Sequence, residues 1–253
     1  MSKKDERLNE IRVNNNGEEM RIIRYGGKAD IDVQFEDGTI IEHKRYDHFK
    51  EGKIKNPMTP SVYGIGCMGI GKFKPCDENG KPTKCYIAWK NMLMRCYDPN
   101  YQETHPRYKG CTVCEEWWNF QKFAEWYYSH YYEFGNNERM TLDKDILHKG
   151  NKVYSPENCI FVPNFINVLF VKSDKTRGDC PIGVYKGGDK FRVCLKKDNK
   201  PVHLGTYRTP NEAFLAYKRA KEAYIKEVAE KYKSQIPHEL YEAMMNYEVE
   251  IDD

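Results

Sequence analysis

The residues best suited to chemistry lie between Leu142 and Pro163, in the stretch LDKDILHKGNKVYSPENCIFVP. Asp143 and Asp145 stand at its start, and Asn158 stands near its end. Carboxylate and amide oxygens are ligands that hard divalent cations prefer. The same two aspartates could equally cap a turn. The stretch therefore contains either side chains that could hold a cation or an ordinary loop.

Elements on both sides must hold this loop in place. The segment MTLDKDIL, from Met140, is typical of a strand, and CIFVP, which ends at Pro163, is typical of a short strand or turn. The segment NFINVLF behind it predicts a helix. Two helical patterns precede the loop, one from Tyr86 and one that starts near Cys114 and runs through Tyr127. We therefore expect a strand, loop, strand and helix in succession.

Four segments of this region occur in a recognisable order: W..M..RC from Trp89 to Cys96, YKGCTVCEEW from Tyr108 to Trp117, LDKDI from Leu142 to Ile146, and YSPENC from Tyr154 to Cys159. Together they resemble the HNH-type (ββα-metal) endonucleases that are common in phages and mobile elements. The resemblance implies that an Asp on the first strand and an Asn at the start of the following helix hold one Mg²⁺ or Mn²⁺ ion. It assigns these two positions to Asp143 and Asn158.

The family's general base is a His directly after the metal-binding Asp, and here that position is Lys144. A lysine, whose ordinary pKa is about 10.4, stays charged beside phosphates and is a poor base. Three replacements are open: Asp145 as a carboxylate base, His148 on the loop, or a metal-bound hydroxide that needs no protein base. A degenerate site that binds DNA without cutting it is the fourth possibility.

The chain has nine cysteines and begins without an apolar segment behind its charges, so we expect thiols rather than disulfides. Cys111 and Cys114 form one CxxC pair, and Cys96 and Cys159 could complete a structural Zn²⁺ site. Isolated buried thiols would explain the same residues. Three further cysteines could replace members of this set: Cys67, Cys76 and Cys85.

A basic module follows Pro181. The segments GVYK, KFRVCLKK and KPVHLGTY are typical of three short strands, and a helix is predicted from Thr209 to about Lys233. Residues 178–233 contain 13 basic and 7 acidic side chains, whereas residues 234–253 contain six acidic and no basic ones. This contrast indicates a polyanion-binding surface beside a shielding or solvating acidic end.

The GVY start, the basic second strand, the LGTY turn and the EA..AY..A helix resemble an AP2-type DNA-binding domain. The resemblance implies that the three-stranded sheet lies on the DNA major groove with the helix behind it. Alternation places Arg192 and Lys196 on one side of the second strand and Val193 on the other. Five basic side chains are predicted to contact DNA from this face or its rim: Lys186, Lys190, Arg192, Lys196 and Arg208. A solvated sheet face is the alternative, because basic residues also protect strand edges.

The whole chain has 253 residues and a formal charge of +3, which excludes a histone-like polycation. No apolar run approaches the roughly 20 residues that cross a bilayer, so we expect an intracellular protein without membrane spans. We predict an α+β fold of modular type. Its four parts are a small β-barrel-like meander at 1–60, a ββα-metal nuclease-like domain at 61–177, an AP2-like domain at 178–233 and an acidic tail at 234–253.

These features favour a metal-dependent endonuclease of phage or homing type, which cuts or nicks double-stranded DNA in the cytoplasm of a phage-infected bacterial host. The AP2-like module would determine which DNA site is bound, and the hairpin region would cleave the DNA. The alternative is a catalytically degenerate DNA-binding or regulatory protein on the same scaffold. A protein-interaction adaptor would leave the basic module without an evident purpose.

Overall fold

The computed structural model describes residues 6–135, 138–171 and 180–251. These residues form helices and several small β-sheets, so the predicted α+β class is confirmed. Within the described ranges, no helix combines the length and the apolar character that a bilayer crossing needs. The chain divides into two compact units, the first comprising Met1–Lys109 and Val113–Trp126, the second comprising Gly110–Thr112 and Tyr127–Asp253.

The first unit opens with an antiparallel meander of four strands in sequential order. The strands are β1 (Ile11–Val13), β2 (Glu19–Gly27), β3 (Asp30–Phe35) and β4 (Ile40–Lys44). Alternation along β2 and β3 turns Ile22 and Val33 into the core, where both are fully buried. The short helix α1 (Tyr46–Lys50) adds Phe49 to the same core.

Aromatic packing organises the rest of the first unit. Helix α2 (Lys84–Tyr97) begins after Thr83, whose side chain accepts the backbone N–H of Tyr86. Its Trp89 is fully buried, and the indole Nε1 donates to the carbonyl of Trp117 at 2.7 Å. Helix α3 (Pro99–Thr104), a 3-10 turn (Pro106–Tyr108) and the two-residue strand β5 (Thr112–Val113) follow.

The helix predicted from near Cys114 begins later. Glu115–Trp118 form a 3-10 turn, and helix α4 spans Phe120–His130. A 3-10 turn aligns residues three apart, so it carries nearly the same apolar spacing as the first turn of an α-helix. The apolar spacing therefore predicted a helix from near Cys114, whereas the α-helix begins at Phe120.

The second unit contains the predicted succession of strand, loop, strand and helix. Strand β6 (Met140–Asp143) pairs antiparallel with β8 (Ile160–Pro163), and the loop between them includes the short strand β7 (Val153–Tyr154). Helix α5 (Asn164–Asn167) follows β8 at once and continues as a 3-10 turn over Val168–Phe170. Strand β6 ends at Asp143, earlier than the MTLDKDIL segment predicted.

The three predicted strands of the C-terminal module are present as β9 (Val184–Gly187), β10 (Lys190–Lys197) and β11 (Lys200–Tyr207), with β10 in the middle. Asp198 and Asn199 connect β10 to β11 with φ angles of 47° and 62°. Asp and Asn tolerate this left-handed region better than most residues, which suits a two-residue hairpin turn.

Helix α6 (Pro210–Tyr232) packs against this sheet and begins with a reciprocal cap. The Thr209 hydroxyl accepts the Glu212 N–H at 3.2 Å, and the Glu212 carboxylate accepts the Thr209 N–H at 3.2 Å. The predicted helix from Thr209 to about Lys233 is thereby confirmed within one residue at each end.

The acidic end at 234–253 is not a solvating tail over the residues described, and its shielding role stays a prediction. Helix α7 (His238–Met245) packs on α6 and buries Leu240 and Met244 completely. These two residues stand one helical turn apart, a spacing that the total charge of the segment concealed. Their core also contains Val162 of β8 and Val193 of β10, so it continues across the predicted boundary at residue 178, which lies outside the described residues.

Replacing Leu240 by Ala should test whether α7 belongs to the core. We expect the free energy of unfolding to fall by about 2 to 4 kcal/mol, because the change removes a fully buried side chain and leaves a cavity. Glu239→Ala on the exposed side of α7 is the control. All four tryptophans belong to the first unit, so urea unfolding should be followed by far-ultraviolet circular dichroism. Equal stability of the two variants would contradict the packing of α7.

Candidate active site and nucleic-acid interface

The hairpin register brings the first and last parts of the loop together. Asp143, the last residue of β6, pairs with Ile160, the first residue of β8. Asn158 precedes Ile160 by two residues, so it lies at the same end of the hairpin as Asp143. Residues 144–159 form the loop that closes this end, hereafter called the hairpin loop.

The Asp143 carboxylate is half-buried, and its hydrogen bonds leave one oxygen open. Its Oδ1 atom accepts the backbone N–H groups of Asp145 and Ile146 at 2.9 and 2.8 Å. These two bonds turn the chain and end β6. No donor among the described residues reaches the second oxygen.

The charge environment of Asp143 also suits a cation. Burial, and next the charge of the Asp145 carboxylate, raise the pKa of Asp143 to about 6. Two neighbouring carboxylates with an open oxygen provide the hard donors that Mg²⁺ or Mn²⁺ takes, and a cation would relieve their repulsion. Asp143 therefore fits the predicted metal, with Asp145 beside it.

Lys144, which stands where the family has its basic His, is bound inside the hairpin loop. Its side chain is only 8% exposed, and its ammonium lies 3.1 Å from an Asp145 carboxylate oxygen. The same ammonium donates to the carbonyl of Asn151 at 2.9 Å. The Asn151 amide donates in return to the carbonyls of Lys144 and Val153 at 2.6 and 2.8 Å. An ammonium that donates in this way has no lone pair for general-base catalysis.

The two other protein candidates for the base have different surroundings. Asp145 is exposed, and one of its oxygens contacts Lys144 while its charge acts on Asp143. His148 is exposed, and its carbonyl accepts the backbone N–H of Asn151. Among the described residues, its imidazole makes no hydrogen bond with either aspartate. The structure thus brings together Asp143, Lys144 and Asp145 and leaves His148 outside this group.

The prediction that Asn158 begins the following helix is wrong. Asn158 lies in the turn before β8, and its amide donates to the carbonyl of Val153 at 3.4 Å. The helix begins at Asn164, whose backbone N–H donates to the carbonyl of Arg139 at 2.8 Å. Five residues lie between the two asparagines, because Ile160–Pro163 pair with β6 as a strand before the helix can start. Sequence reasoning did not single out Asn164, which occupies the helix-start position.

The predicted zinc ligands divide between the two units. Cys96 and Cys114 belong to the first unit, and Cys111 and Cys159 belong to the second. Cys114 is half-buried, and the other three are buried. Burial is common to structural zinc ligands and to isolated core thiols, so the zinc site stays a prediction.

A group of metal-ligand side chains that the sequence did not indicate lies in the N-terminal meander. One ligand atom from each of Asp30, Asp32 and His43 falls within 4.8 Å of the others. The Arg24 guanidinium already supplies positive charge there, because it binds both oxygens of Asp30 at 2.7 and 2.9 Å and also pairs with Asp32. These contacts hold the pKa of Asp30 well below its usual range. The group is therefore an ion-pair network rather than a cation site.

The central strand of the C-terminal sheet has one buried and one exposed face. Val193 and Leu195 are buried against the core shared with α6. Lys190, Arg192 and Lys196 alternate with them and are exposed. The predicted separation of Arg192 and Lys196 from Val193 is confirmed. The face that carries Lys190, Arg192 and Lys196 is called the outer face below.

Neighbouring strands complete the outer face with residues that sequence reasoning missed. Arg192 lies opposite Tyr185 of β9 and Thr206 of β11, and Cys194 lies opposite His203 of β11. Tyr185 is exposed, so Arg192 has an aromatic residue and a hydroxyl residue as its cross-strand neighbours. The strand register supplies these neighbours, and alternation within single strands could not have found them.

One of the five predicted DNA contacts, Lys186, lies on the other face of the sheet, whereas Arg208 lies at the rim, which the prediction allowed. Lys186 pairs with Phe191, whose parity along β10 is that of buried Val193, so Lys186 belongs to the helix-side face of the sheet. Arg208 follows β11 and is exposed at the rim. The turn between β9 and β10 sets this register, and a single-strand pattern does not reveal it.

The outer face carries positive charge without local compensation. Within the described part of the chain, Lys190, Arg192 and Lys196 form no ion pair. By contrast, Lys197, on the other side of the same strand, pairs with Glu227 of α6 at 3.2 Å. Three cationic side chains on one surface, without nearby acidic partners, attract a polyanion.

No family model, curated protein or solved structure matches this chain. Function is therefore inferred from the hairpin and the outer face themselves. The first offers clustered carboxylates, and the second offers clustered cations.

Replacing Asp143 by Asn should show the cost of the buried charge. The pKa of Asp143 is raised from 3.8 to about 6, so ionisation lowers stability progressively between these values and fully above them. The amide keeps an acceptor oxygen but carries no charge. We expect the variant to unfold with a free energy about 1 to 2 kcal/mol higher at neutral pH, and nearly unchanged at about pH 4.

The measurement is urea unfolding of the full chain at both pH values with EDTA present. Glu133→Gln, at an exposed position of the same unit, is the matched control. The same gain at both pH values would contradict the raised pKa.

Proposed function

We propose that this protein is a metal-dependent DNA endonuclease whose hairpin cuts and whose C-terminal sheet binds double-stranded DNA. The observation that carries the proposal is Asp143, a half-buried carboxylate at the end of a strand, with one open oxygen and a second carboxylate beside it. The resemblance to HNH-type endonucleases supplies the reaction class. The finer architecture that we propose is a ββα-metal unit followed by an AP2-like module.

In this proposal Asp143 holds the metal, and Asn158, at the same end of the hairpin, is the candidate for a second protein ligand. A bound Mg²⁺ would polarise the scissile phosphate and stabilise the leaving oxygen. Asp145 takes the proton from the attacking water, because it is the carboxylate beside Asp143, whereas His148 makes no described contact with this group. Lys144 and Asn151 keep the hairpin loop in one conformation, so that Asp145 stays in position.

The outer face binds the phosphate backbone and reads bases in the major groove. Lys190, Arg192 and Lys196 would release counterions from phosphates, which favours binding at low salt. Arg192 is the candidate for base reading, because it is central and because guanidinium can donate two hydrogen bonds to guanine. Tyr185 and Thr206 stand opposite Arg192 on the two neighbouring strands.

A catalytically inactive DNA-binding protein on the same scaffold is the second candidate. It is favoured by Lys144, since the family's base is replaced by a group bound to Asn151 and Asp145. Such a protein would act as a regulator in the infected cell. The two candidates share the outer face and differ at the hairpin.

Cleavage tests the first candidate. Wild-type protein should nick or cut mixed-sequence DNA in the presence of Mg²⁺ or Mn²⁺, and Asp143→Ala should lose this activity while it retains DNA affinity. Asp145→Asn should lower the rate by about 10²-fold or more if Asp145 is the base. Glu133→Gln should cleave like wild type.

Two outcomes would redirect the assignment. Full activity of Asp143→Ala would remove Asp143 from the site. An inactive wild type that Lys144→His converts into a nuclease would establish the second candidate, a degenerate site.

Point variants test the outer face better than truncation does, because deleting the chain from Gly178 would also remove the core beneath the hairpin. Lys190→Ala and Lys186→Ala remove the same charge from opposite faces of one sheet. We expect Lys190→Ala to weaken binding of a short duplex several-fold. It should also make the plot of log affinity against log salt concentration less steep, by the contribution of about one phosphate contact. Both effects should be smaller for Lys186→Ala.

Arg192→Ala extends the same comparison to specificity. A base-reading Arg should lose about 1 to 3 kcal/mol on the preferred site and discriminate less well there. The measurement is fluorescence anisotropy over a salt series with preferred and scrambled duplexes. Equal effects of the two lysine variants would contradict the assignment of the outer face.

A further inference from the structure

The C-terminal segment contacts the hairpin loop through a single lysine. The Lys149 ammonium donates to the backbone carbonyl of Glu248 at 2.9 Å and pairs with the Glu250 carboxylate at 3.0 Å. It also lies 5.1 Å from the centre of the Tyr247 ring. A cation near the candidate active site is thus held by three residues of the acidic end.

The C-terminal segment is fixed in place without this lysine. Val249 is 3% exposed, in the core shared with α6 and α7. Its backbone N–H donates to Glu222 at 2.8 Å, and its carbonyl accepts from Lys218 at 2.8 Å. The neighbours of Val249 along the chain, Glu248 and Glu250, are exposed. The core therefore anchors the segment, and Glu250 presents its carboxylate to Lys149.

The charge of Glu250 contributes little to this anchoring. The ion pair is largely exposed, with side-chain exposures of 31% for Lys149 and 61% for Glu250. Exposed pairs of this kind stabilise proteins only weakly. A carboxylate offers a lysine one negative charge and acceptor oxygens, as a phosphodiester does. A DNA phosphate could therefore replace Glu250 at small energetic cost.

We propose that Lys149 is a phosphate contact of the hairpin loop and that Glu250 occupies this site until the DNA backbone displaces it. The ligand is a phosphodiester of double-stranded DNA, and the inference rests on the proposed function because it requires DNA at the hairpin. The acidic end thereby lowers the affinity for DNA by competing for a single cation. Residues 234–253 contain six acidic side chains and no basic ones, which is consistent with a phosphate mimic.

Glu250→Gln and Glu248→Gln separate direct competition for Lys149 from a general effect of negative charge on DNA affinity. Glu250→Gln removes the carboxylate that contacts Lys149, whereas Glu248→Gln removes the same charge two residues away and keeps the backbone carbonyl that Lys149 uses. In the full chain at low salt, we expect Glu250→Gln to tighten binding of a short duplex about two- to fivefold, and Glu248→Gln to change it less than twofold. Both effects should fade at high salt, where exposed charges are screened.

Lys149→Gln completes the test as a double-variant cycle. It should weaken binding in the wild-type background and should abolish the gain from Glu250→Gln, because the two side chains act on each other. Melting temperatures of all variants should agree within a few degrees if the core anchors the segment.

The outcomes distinguish this proposal from the proposed function. Equal affinities of Glu250→Gln and Glu248→Gln, or a gain that persists with Lys149→Gln, would overturn the competition while leaving DNA binding intact. An absence of DNA binding by every protein, including Glu250→Gln, would overturn the proposed function together with this inference. Cleavage is not the readout, so an inactive hairpin does not affect the result.

Discussion

A single hydrophobic core supports the hairpin, the three-stranded sheet and the two C-terminal helices of the second unit. Five of its fully buried members come from different elements: Val162 of β8, Ile166 of α5, Val193 of β10, Ile225 of α6 and Leu240 of α7. Each such side chain contributes about 1.5 to 3 kcal/mol when it leaves water. The strands β6 and β8 have four residues each and would be marginal as an isolated hairpin. The core allows so small a hairpin to hold the half-buried carboxylate of Asp143.

The charged side chains of the hairpin loop fix the conformation of the loop, but they do not all stabilise the folded protein. Lys144 is withdrawn from water and retained by Asn151 and Asp145, which offsets the desolvation of its ammonium. Asp143 has no comparable cationic partner among the described residues, and its pKa is raised accordingly. A carboxylate whose pKa is raised at a cost in stability is characteristic of functional sites. At the exposed end of the loop, Lys149 joins the hairpin to the acidic segment.

Much of the second unit follows from the sequence alone, because local patterns specify it. The alternation of Arg192 and Lys196 with Val193 fixes the two faces of β10, and the Thr209 cap marks the start of α6. The order of strand, loop, strand and helix around Asp143 was also predictable. So was the α+β class. Each of these features depends on residues that are close in the chain, where turn chemistry and periodicity act directly.

Features that depend on distant residues were decided by tertiary structure. Lys186 lies on the helix side of the sheet because it pairs with Phe191 of β10. Asn158 precedes a strand because Ile160–Pro163 pair with β6. Leu240 and the segment around Glu250 join the core although their surroundings are acidic. Sequence patterns locate the candidate carboxylates, cations and strands. Only strand pairing and packing determine which of them face one another. An isolated strand has unpaired backbone groups and two exposed faces, and distant parts of the chain decide which strand it pairs with and which face becomes buried.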